Sequence, residues 1–385
     1  MIVKGKKIMN KRQQNIGIIT PPIKNAGVSP LSNLVNIISS LSNSVWVITG
    51  NTNLRLVKKT NSDIHICKIQ YSIGSNRFFT IVKNIQLQFI ISYKLIKYMK
   101  KSNILIYFLD SHAYILPVFT GRLLRKKIIF LLAASISGST KSNDNFFTTV
   151  SIFSESMNFK LADYIIVYSP ILVEKWNLQN YAYKILIAHE HFLCLDKFRV
   201  KINLNDRLSL FGYIGRLSGE KGVEKFVQAL PAILGNQRKD FHVMIGGDGP
   251  LRSEIEKCLL EQSLVGQVEM TGWISHEDLP NYLNRMKLLV IPSYSEGLPN
   301  IMLEAMACGT PVLATPVGAI PDIIKDGETG FIMENNSPVC ITENIIRALG
   351  DSNLENIAMN AKKLVEKEFT FESTVMQWKK IFDEI

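Results

Sequence analysis

The sequence predicts an α/β protein made of two Rossmann-like domains, each with a parallel sheet. Short apolar runs recur along the chain, and most are followed by an amphipathic stretch, the alternation that parallel strands and their crossover helices require. Several runs end in glycine-containing turns, as in GYIGRLSG, IGGDGP and PSYSEGLP, where a doubly wound fold places its ligand groups. The 385 residues, 46% hydrophobic and 20% charged, are enough for two ordinary globular domains.

Taken in order, residues 1–14 read as a flexible basic tail, and residues 15–195 as the first domain. Asn15–Thr20 forms a buried strand, followed by the loop PPIKNAGVSP and the amphipathic helix SNLVNIISSLS. Val45–Thr49 and Ile64–Cys67 are short strands, and His65 in the second reads as a packed or surface residue rather than a ligand. The segment Phe78–Lys101 reads as one long helix whose apolar stripe packs on the sheet or lies partly against a bilayer. A buried strand, Ile104–Leu109, ends in Asp110-Ser111-His112, and Ile128–Leu132 is the next. His189-Glu190-His191 has no third ligand nearby in sequence, so a metal site is not expected there.

Residues 196–207, DKFRVKINLNDR, are charged and lack a long apolar run, as an interdomain linker would. The second domain, residues 208–370, has strands near 208–214, 241–246, 268–271, 288–292, 310–315 and 330–333. Pro231 should kink or shorten the helix after Lys221. Residues 371–385 form a last helix.

The chemistry concentrates in residues 292–316, PSYSEGLPNIMLEAMACGTPVLATP. They follow the strand Leu288–Ile291 and lead through a Ser/Gly turn into a helix that Pro299, with no N–H to lose, suits as first residue. Free N–H groups and the positive end of the helix dipole make this strand–turn–helix an anion site. Glu304 lies roughly 7–8 Å along the helix axis and leans back toward its start, within reach of a diol attached to a bound phosphate. Glu296 precedes the turn. In the segment GYIGRLSGEKG, Arg216 and Lys221 stand on a glycine-bracketed loop, a forked donor and a point charge suited to a diphosphate.

Gly-Arg-Leu-x-x-Glu-Lys-Gly, then Gly246-Gly247-Asp248-Gly249-Pro250, then Glu296 and Glu304 eight positions apart, resemble the retaining GT-B glycosyltransferases of family four. The resemblance is specific over residues 205–350. It implies two Rossmann-like domains facing across a cleft, with a nucleotide-diphosphate sugar bound to the second and a glycan or lipid-linked acceptor bound to the first. Arg216 and Lys221 would then hold the diphosphate and stabilise its departure. Glu304 would hold the ribose and Glu296 would contact the sugar. Main-chain groups of Gly297, Leu298, Pro299 and Asn300 would line phosphate and sugar, and Ile274, beside Trp273, would approach the base. On the first domain the resemblance points to Gly27 near the phosphate and to His112 in the cleft. A single glycine in the first loop, and no histidine in AASISGS after Leu132, depart from the family's pattern on the acceptor side.

Residues 1–200 hold 26 Lys and Arg against 8 Asp and Glu, a net +18, and residues 201–385 hold 18 against 25, a net −7. Such asymmetry points to an anionic membrane surface or another polyanion as partner of the first half, the alternative being a drift toward Lys, Asn and Ile throughout the chain. No zinc-finger, helix-turn-helix or RNA-binding motif accompanies the charge, so nucleic acid is not expected. No apolar run is long enough to span a bilayer, the polar N-terminus does not read as a signal peptide, and five cysteines without C-x-x-C spacing fit a reducing cytoplasm. There is no Asp-x-Asp to bridge a divalent cation, so neither metal nor cofactor is expected beyond the donor itself. The rival readings are a noncatalytic nucleotide-sugar binder, a glycosidase using Glu296 and Glu304, and a basic nucleic-acid-binding module.

Overall fold

The structure, a computed structural model, describes residues 14–23, 25–50, 54, 56, 62–70, 77–109, 111, 114–133, 145–235 and 241–385. The chain divides into two compact units, Met1–His191 with Thr374–Ile385, and Phe192–Ser373.

In the first unit β1 (Asn15–Ile19), β2 (Ser44–Thr49), β3 (Asp63–Lys68), β4 (Ile104–Phe108), β5 (Lys127–Leu132), β6 (Tyr164–Val167) and β7 (Ile185–Ile187) form one sheet in the order β3-β2-β1-β4-β5-β6-β7. Every pairing is parallel, and all five residues of the run ILIYF in β4 are buried, as a sheet covered on both faces demands. The helices are α1 (Asn25–Leu41), α2 (Arg77–Tyr98), α3 (Ile115–Leu123), α4 (Asn145–Leu161) and α5 (Ile171–Lys175).

Two expectations change here. Helix α1 starts within the expected loop, so Gly27 stands in its first turn, with Pro30 one turn further on. A Cβ on Gly27 would lie 3.0 Å from that of Ile23, so the glycine serves a close helix–loop approach. Helix α2 buries one apolar stripe and exposes another. His112 lies outside the described residues, as do Asp110 and most of AASISGS. His65 stacks on Trp46 at 4.1 Å across the β2–β3 pair, a packing role.

The second unit holds β8 (Leu210–Ile214), β9 (His242–Gly246), β10 (Val268–Gly272), β11 (Leu288–Ile291), β12 (Val312–Ala314) and β13 (Phe331–Ile332), in the order β10-β9-β8-β11-β12-β13, again all parallel. Strand order reverses between β8 and β11, which puts a topological switch point at their carboxyl ends. Around the sheet run α6 (Val223–Leu234), α7 (Arg252–Glu261), α8 (Leu279–Leu283), α9 (Asn300–Ala307), α10 (Ile320–Ile323), α11 (Pro338–Leu349) and α12 (Leu354–Glu368). Helix α6 runs three residues past Pro231, so the proline does not end it there, and Gly235 closes it, donating to the Pro231 carbonyl at 2.8 Å.

Residues 196–207 lie within this unit, and the guanidinium of Arg207 is buried. It donates to the carbonyls of Ile202, Met286 and Cys308 and to the Thr310 hydroxyl, at 2.8–3.1 Å. The last helix, α13 (Phe371–Glu384), passes into the first unit at Thr374. Trp378, fully buried, donates from Nε1 to the His189 carbonyl at 2.8 Å, and the Thr374 hydroxyl donates to that of His191 at 3.0 Å. Glu190, between His189 and His191 in sequence, has a buried carboxyl that accepts from the Tyr168 hydroxyl at 2.8 Å. Burial pushes Glu190 up to about 8 and His189 down to about 4.

Candidate functional site

Three loops leave the carboxyl edge of the second sheet and lean on one another. The loop after β8 carries Arg216 and Lys221. Gly215 N–H donates to the Gly246 carbonyl and Leu217 N–H to that of Asp248, both at 3.0 Å, so the GGDGP loop after β9 braces it. On the other side Tyr294 N–H donates to the Glu220 carbonyl at 2.9 Å, tying it to the SEGLPN loop after β11. Gly222 has φ +67°, and a Cβ there would sit 2.0 Å from the Pro292 carbonyl oxygen. Only glycine allows this turn and this approach together. A Cβ on Gly318, at φ +58°, would sit 2.3 Å and 2.4 Å from the Glu296 and Gly297 carbonyl oxygens, and Ala319 N–H donates to the Gly297 carbonyl at 2.8 Å.

These loops bring four of the candidate side chains to one sheet edge. Lys221 donates to Glu296 Oε1 at 2.7 Å, and the Ser293 hydroxyl donates to the same oxygen at 2.7 Å. The Glu296 side chain is 9% exposed and that of Lys221 30%. Arg216 is exposed, and its guanidinium donates to no described residue. Beneath it the Tyr213 hydroxyl donates to the Arg216 carbonyl at 2.6 Å, while burial and the charges of Glu296 and Glu220 hold that phenol above its ordinary range. Burial acts to raise the Glu220 carboxyl, yet the Ser218 hydroxyl at 2.6 Å, its own backbone and the nearby Arg216 and Lys221 hold it low.

Pro299 is the residue before α9 rather than its first, with φ −72° and ψ 120°. Among the described residues none accepts from the N–H groups of Gly297, Leu298 or Asn300, which stand at the positive end of the helix dipole. Five residues into the helix, the nearly buried Glu304 meets a residue that sequence reasoning missed: His276 Nε2 lies 3.0 Å from its Oε1. Lys197 Nζ lies 2.9 Å from Nδ1 of the same ring. An ammonium only donates, so Nδ1 accepts and Nε2 carries the hydrogen given to Glu304. His276 is held by a local turn in which the Ser275 hydroxyl donates to Asp278 at 2.6 Å. Ile274, two residues earlier, packs on the end of β9, so close that a Cβ on Gly246 would lie 2.6 Å from its Cδ1. Trp273 is 79% exposed.

The assembled groups can bind an anion between two cations and a helix start, and accept hydrogen bonds from hydroxyls on either side of it. Among the described residues no group of three or more His, Cys, Asp and Glu stands close enough to hold a metal ion.

Comparison with known proteins locates these features. The chain is 33% identical over 190 residues to an alpha-D-kanosaminyltransferase of Streptomyces kanamyceticus, covering 49% of each chain. The chain spans about half the length of the curated relatives it matches. Over 97% of its length it is similar in fold to sucrose-phosphate synthase from Thermosynechococcus elongatus, with TM-score 0.75, 19% identity and 99% of that chain covered. HepE of Anabaena in complex with UDP is similar to the same degree, with TM-score 0.75, 14% identity and coverage of 97% and 100%. These likenesses establish the fold, the GT-B architecture of two Rossmann-like domains. Residues 196–364, which include all three site loops, match the family model described as Glycosyl transferases group 1.

Proposed function

We propose that the chain is a retaining, metal-independent glycosyltransferase that moves a sugar, a hexose in the first instance, from a nucleotide-diphosphate sugar to a glycan or lipid-linked acceptor. The observation that carries the reading is the set Arg216, Lys221, Glu296 and Glu304 at the switch point of one parallel sheet, within the segment that matches the group 1 model. Arg216, Lys221 and the N–H groups of Gly297, Leu298 and Asn300 receive the diphosphate and stabilise the charge that develops on it as the sugar C1–oxygen bond breaks. Glu304 accepts from the ribose hydroxyls, Ile274 borders the base, and Glu296 contacts the donor sugar. The acceptor oxygen forms the new bond to C1, and its proton goes to the departing diphosphate. The two cations and the helix dipole supply the neutralisation that a divalent cation supplies elsewhere, and the sequence has no Asp-x-Asp.

The test is a thermal-shift panel of nucleotide sugars. HepE, similar in fold, is crystallised with UDP, so uridine donors come first. A ligand at 100 times its Kd stabilises by about 2.7 kcal/mol, several degrees of melting temperature for a domain of this size. The donor selected should release its nucleoside diphosphate when acceptor is added. A panel of uridine, guanosine, adenosine, cytidine and thymidine sugars that shifts nothing overturns the proposal, and a shift without turnover leaves a noncatalytic binder.

A further inference from the structure

Helix α2 carries two apolar stripes, and the fold uses one. Leu87, Ile91 and Leu95 recur every fourth residue and are buried. Ile81, Ile85, Phe89, Tyr93 and Ile96 recur at almost the same spacing and are all exposed, Phe89 at 62% and Tyr93 at 61%. At about 100° per residue the second stripe lies roughly 150° around the helix from the first. Helices α2, α3 and α4 follow β3, β4 and β5 in crossovers that all run the same way along the sheet, which puts them side by side on one face. Helix α3 adds Phe119 and Leu123, one turn apart and both exposed, and α4 adds Phe153 at 66%. Single exposed apolar residues are ordinary, but a set spread over three adjacent helices marks an interaction surface.

Charge identifies what covers it. Between Asp63 and Asp144 the sequence has one acidic residue, Asp110, against twelve Lys and Arg. Lys94, Lys97, Lys100 and Lys101 gather at the carboxyl end of α2, and Lys97 Nζ stands over the Tyr93 ring at 5.8 Å, on the edge of the exposed stripe. The other basic group is partly committed to the fold: Arg122 is paired with Asp163 at 2.9 Å, and Lys126 donates to the Lys100 carbonyl. A nucleic acid offers phosphates but no apolar layer for a Phe and Ile stripe. A second copy of the chain would set lysine against lysine. An anionic bilayer offers headgroup phosphates and, a few ångströms deeper, hydrocarbon. No helix among the described residues is long and apolar enough to cross it.

We propose that the outer face of α2, continued by α3 and α4, is a membrane-docking surface that seats its apolar stripe in the headgroup region of an anionic bilayer while the lysines at its end bind lipid phosphates. The proposal does not depend on the transfer reaction, and its test uses no nucleotide sugar.

Sedimentation of the full chain with phosphatidylglycerol-containing and with pure phosphatidylcholine vesicles decides it. The protein should pellet with the anionic vesicles only. Part of that binding should persist at 1 M salt, where charge is screened over about 3 Å. The double change Phe89→Ser and Tyr93→Ser should lower partitioning at least about tenfold, since large exposed rings carry much of the apolar area to be buried. Its melting temperature should stay that of the parent. Lys97→Gln with Lys100→Gln and Lys101→Gln should remove the preference for anionic lipid. If the double variant melts lower, Phe89→Trp replaces it, and its emission should shift to the blue on anionic vesicles. Recovery in the supernatant throughout, binding abolished by salt and indifferent to the ring substitutions, or a tryptophan that does not shift each overturn the proposal. So does a dimer in solution that Phe89→Ser dissolves, because a second copy would then own the face.

Discussion

Replacing Lys221 by Met removes the ammonium that donates to Glu296 Oε1 at 2.7 Å, and it should damage two things that can be measured apart. The diphosphate loses a cation, and the Glu296 carboxylate, 9% exposed, keeps only the Ser293 hydroxyl on that oxygen. Truncating one partner of a buried, hydrogen-bonded charge pair costs about 2–5 kcal/mol. Lys221 is 30% exposed, so water screens part of its charge and the lower end of that range applies, about 2–3 kcal/mol. At about 1.36 kcal/mol per tenfold, transfer should fall roughly 30- to 150-fold in kcat/KM. The assay is the initial rate of nucleoside diphosphate release with the donor found by thermal shift, beside calorimetric binding of the diphosphate alone. Combining Lys221→Met with Glu296→Gln should restore the melting temperature, because no buried carboxylate is then left uncompensated, but should not restore diphosphate binding. Wild-type kcat/KM in the single variant, with unchanged circular dichroism, refutes the clamp. Wild-type diphosphate affinity in the double variant shows that Lys221 served Glu296 alone.

Arg216→Ala should reduce transfer tens-fold or more and leave the melting temperature in place, since its guanidinium donates to no described residue; a lower melting temperature with full transfer would assign it to the fold. Glu304→Ala should mainly weaken nucleotide binding, whereas Glu296→Ala should change turnover and the choice of sugar; if both only lower the melting temperature, the carboxylates are structural. Initial rates with and without excess chelator should match, and a large loss restored by Mg²⁺ or Mn²⁺ would mean a metal takes part. Glu190 keeps its proton up to about 8 in the folded chain but would lose it near 4.5 when unfolded, so the folded state binds more protons in that window and stability falls as pH rises through it. His189, held down to about 4 from 6.5, acts oppositely and only below 6.5, so the melting temperature should fall between about pH 6.5 and 8, and Glu190→Gln should abolish that fall; an equal fall in the variant refutes the linkage.

The central parallel strands were legible because they are buried on both faces and so must be written as unbroken apolar runs, as ILIYF and LLVI are, whereas the edge strand β3, DIHICK, is largely exposed. What was not legible depends on partners distant in sequence. Residues 196–207 are charged and short of apolar residues, the composition of a linker. Yet Arg207 is buried because the carbonyls of Met286 and Cys308, some 80 and 100 positions away, satisfy its fork. Burial lowers the Arg207 guanidinium to about 10, a sign of how much of its solvation these contacts replace. Helix α1 begins within a segment that Pro21, Pro22 and Pro30 mark as loop: the first two precede the helix, and Pro30, its sixth residue, costs the ladder a single N–H. In α2 both stripes have helical spacing, and periodicity cannot say which of two apolar faces the sheet will cover.

At the site, spacing in sequence picked out the side chains that gather at one sheet edge but not the groups that hold them. Glu296 and Glu304 stand on opposite sides of a glycine turn, which is a local pattern. His276 sits in the segment SHEDL, which reads as an exposed polar loop, and its contact with Glu304 spans 28 positions, while that of Lys197 with His276 spans 79. The chemistry of the relay follows only from the three residues together. With Lys197 donating to Nδ1, the imidazole can approach Glu304 only as a donor, and the carboxylate then has Oε1 engaged before any ligand arrives. A vicinal diol brings two hydroxyl donors to the remaining lone pairs, so Glu304 is suited to a neutral polyol and set against a second anion. The hydrogen on His276 Nε2 holds the carboxylate in place for that pairing, and no spacing of carboxylates encodes it.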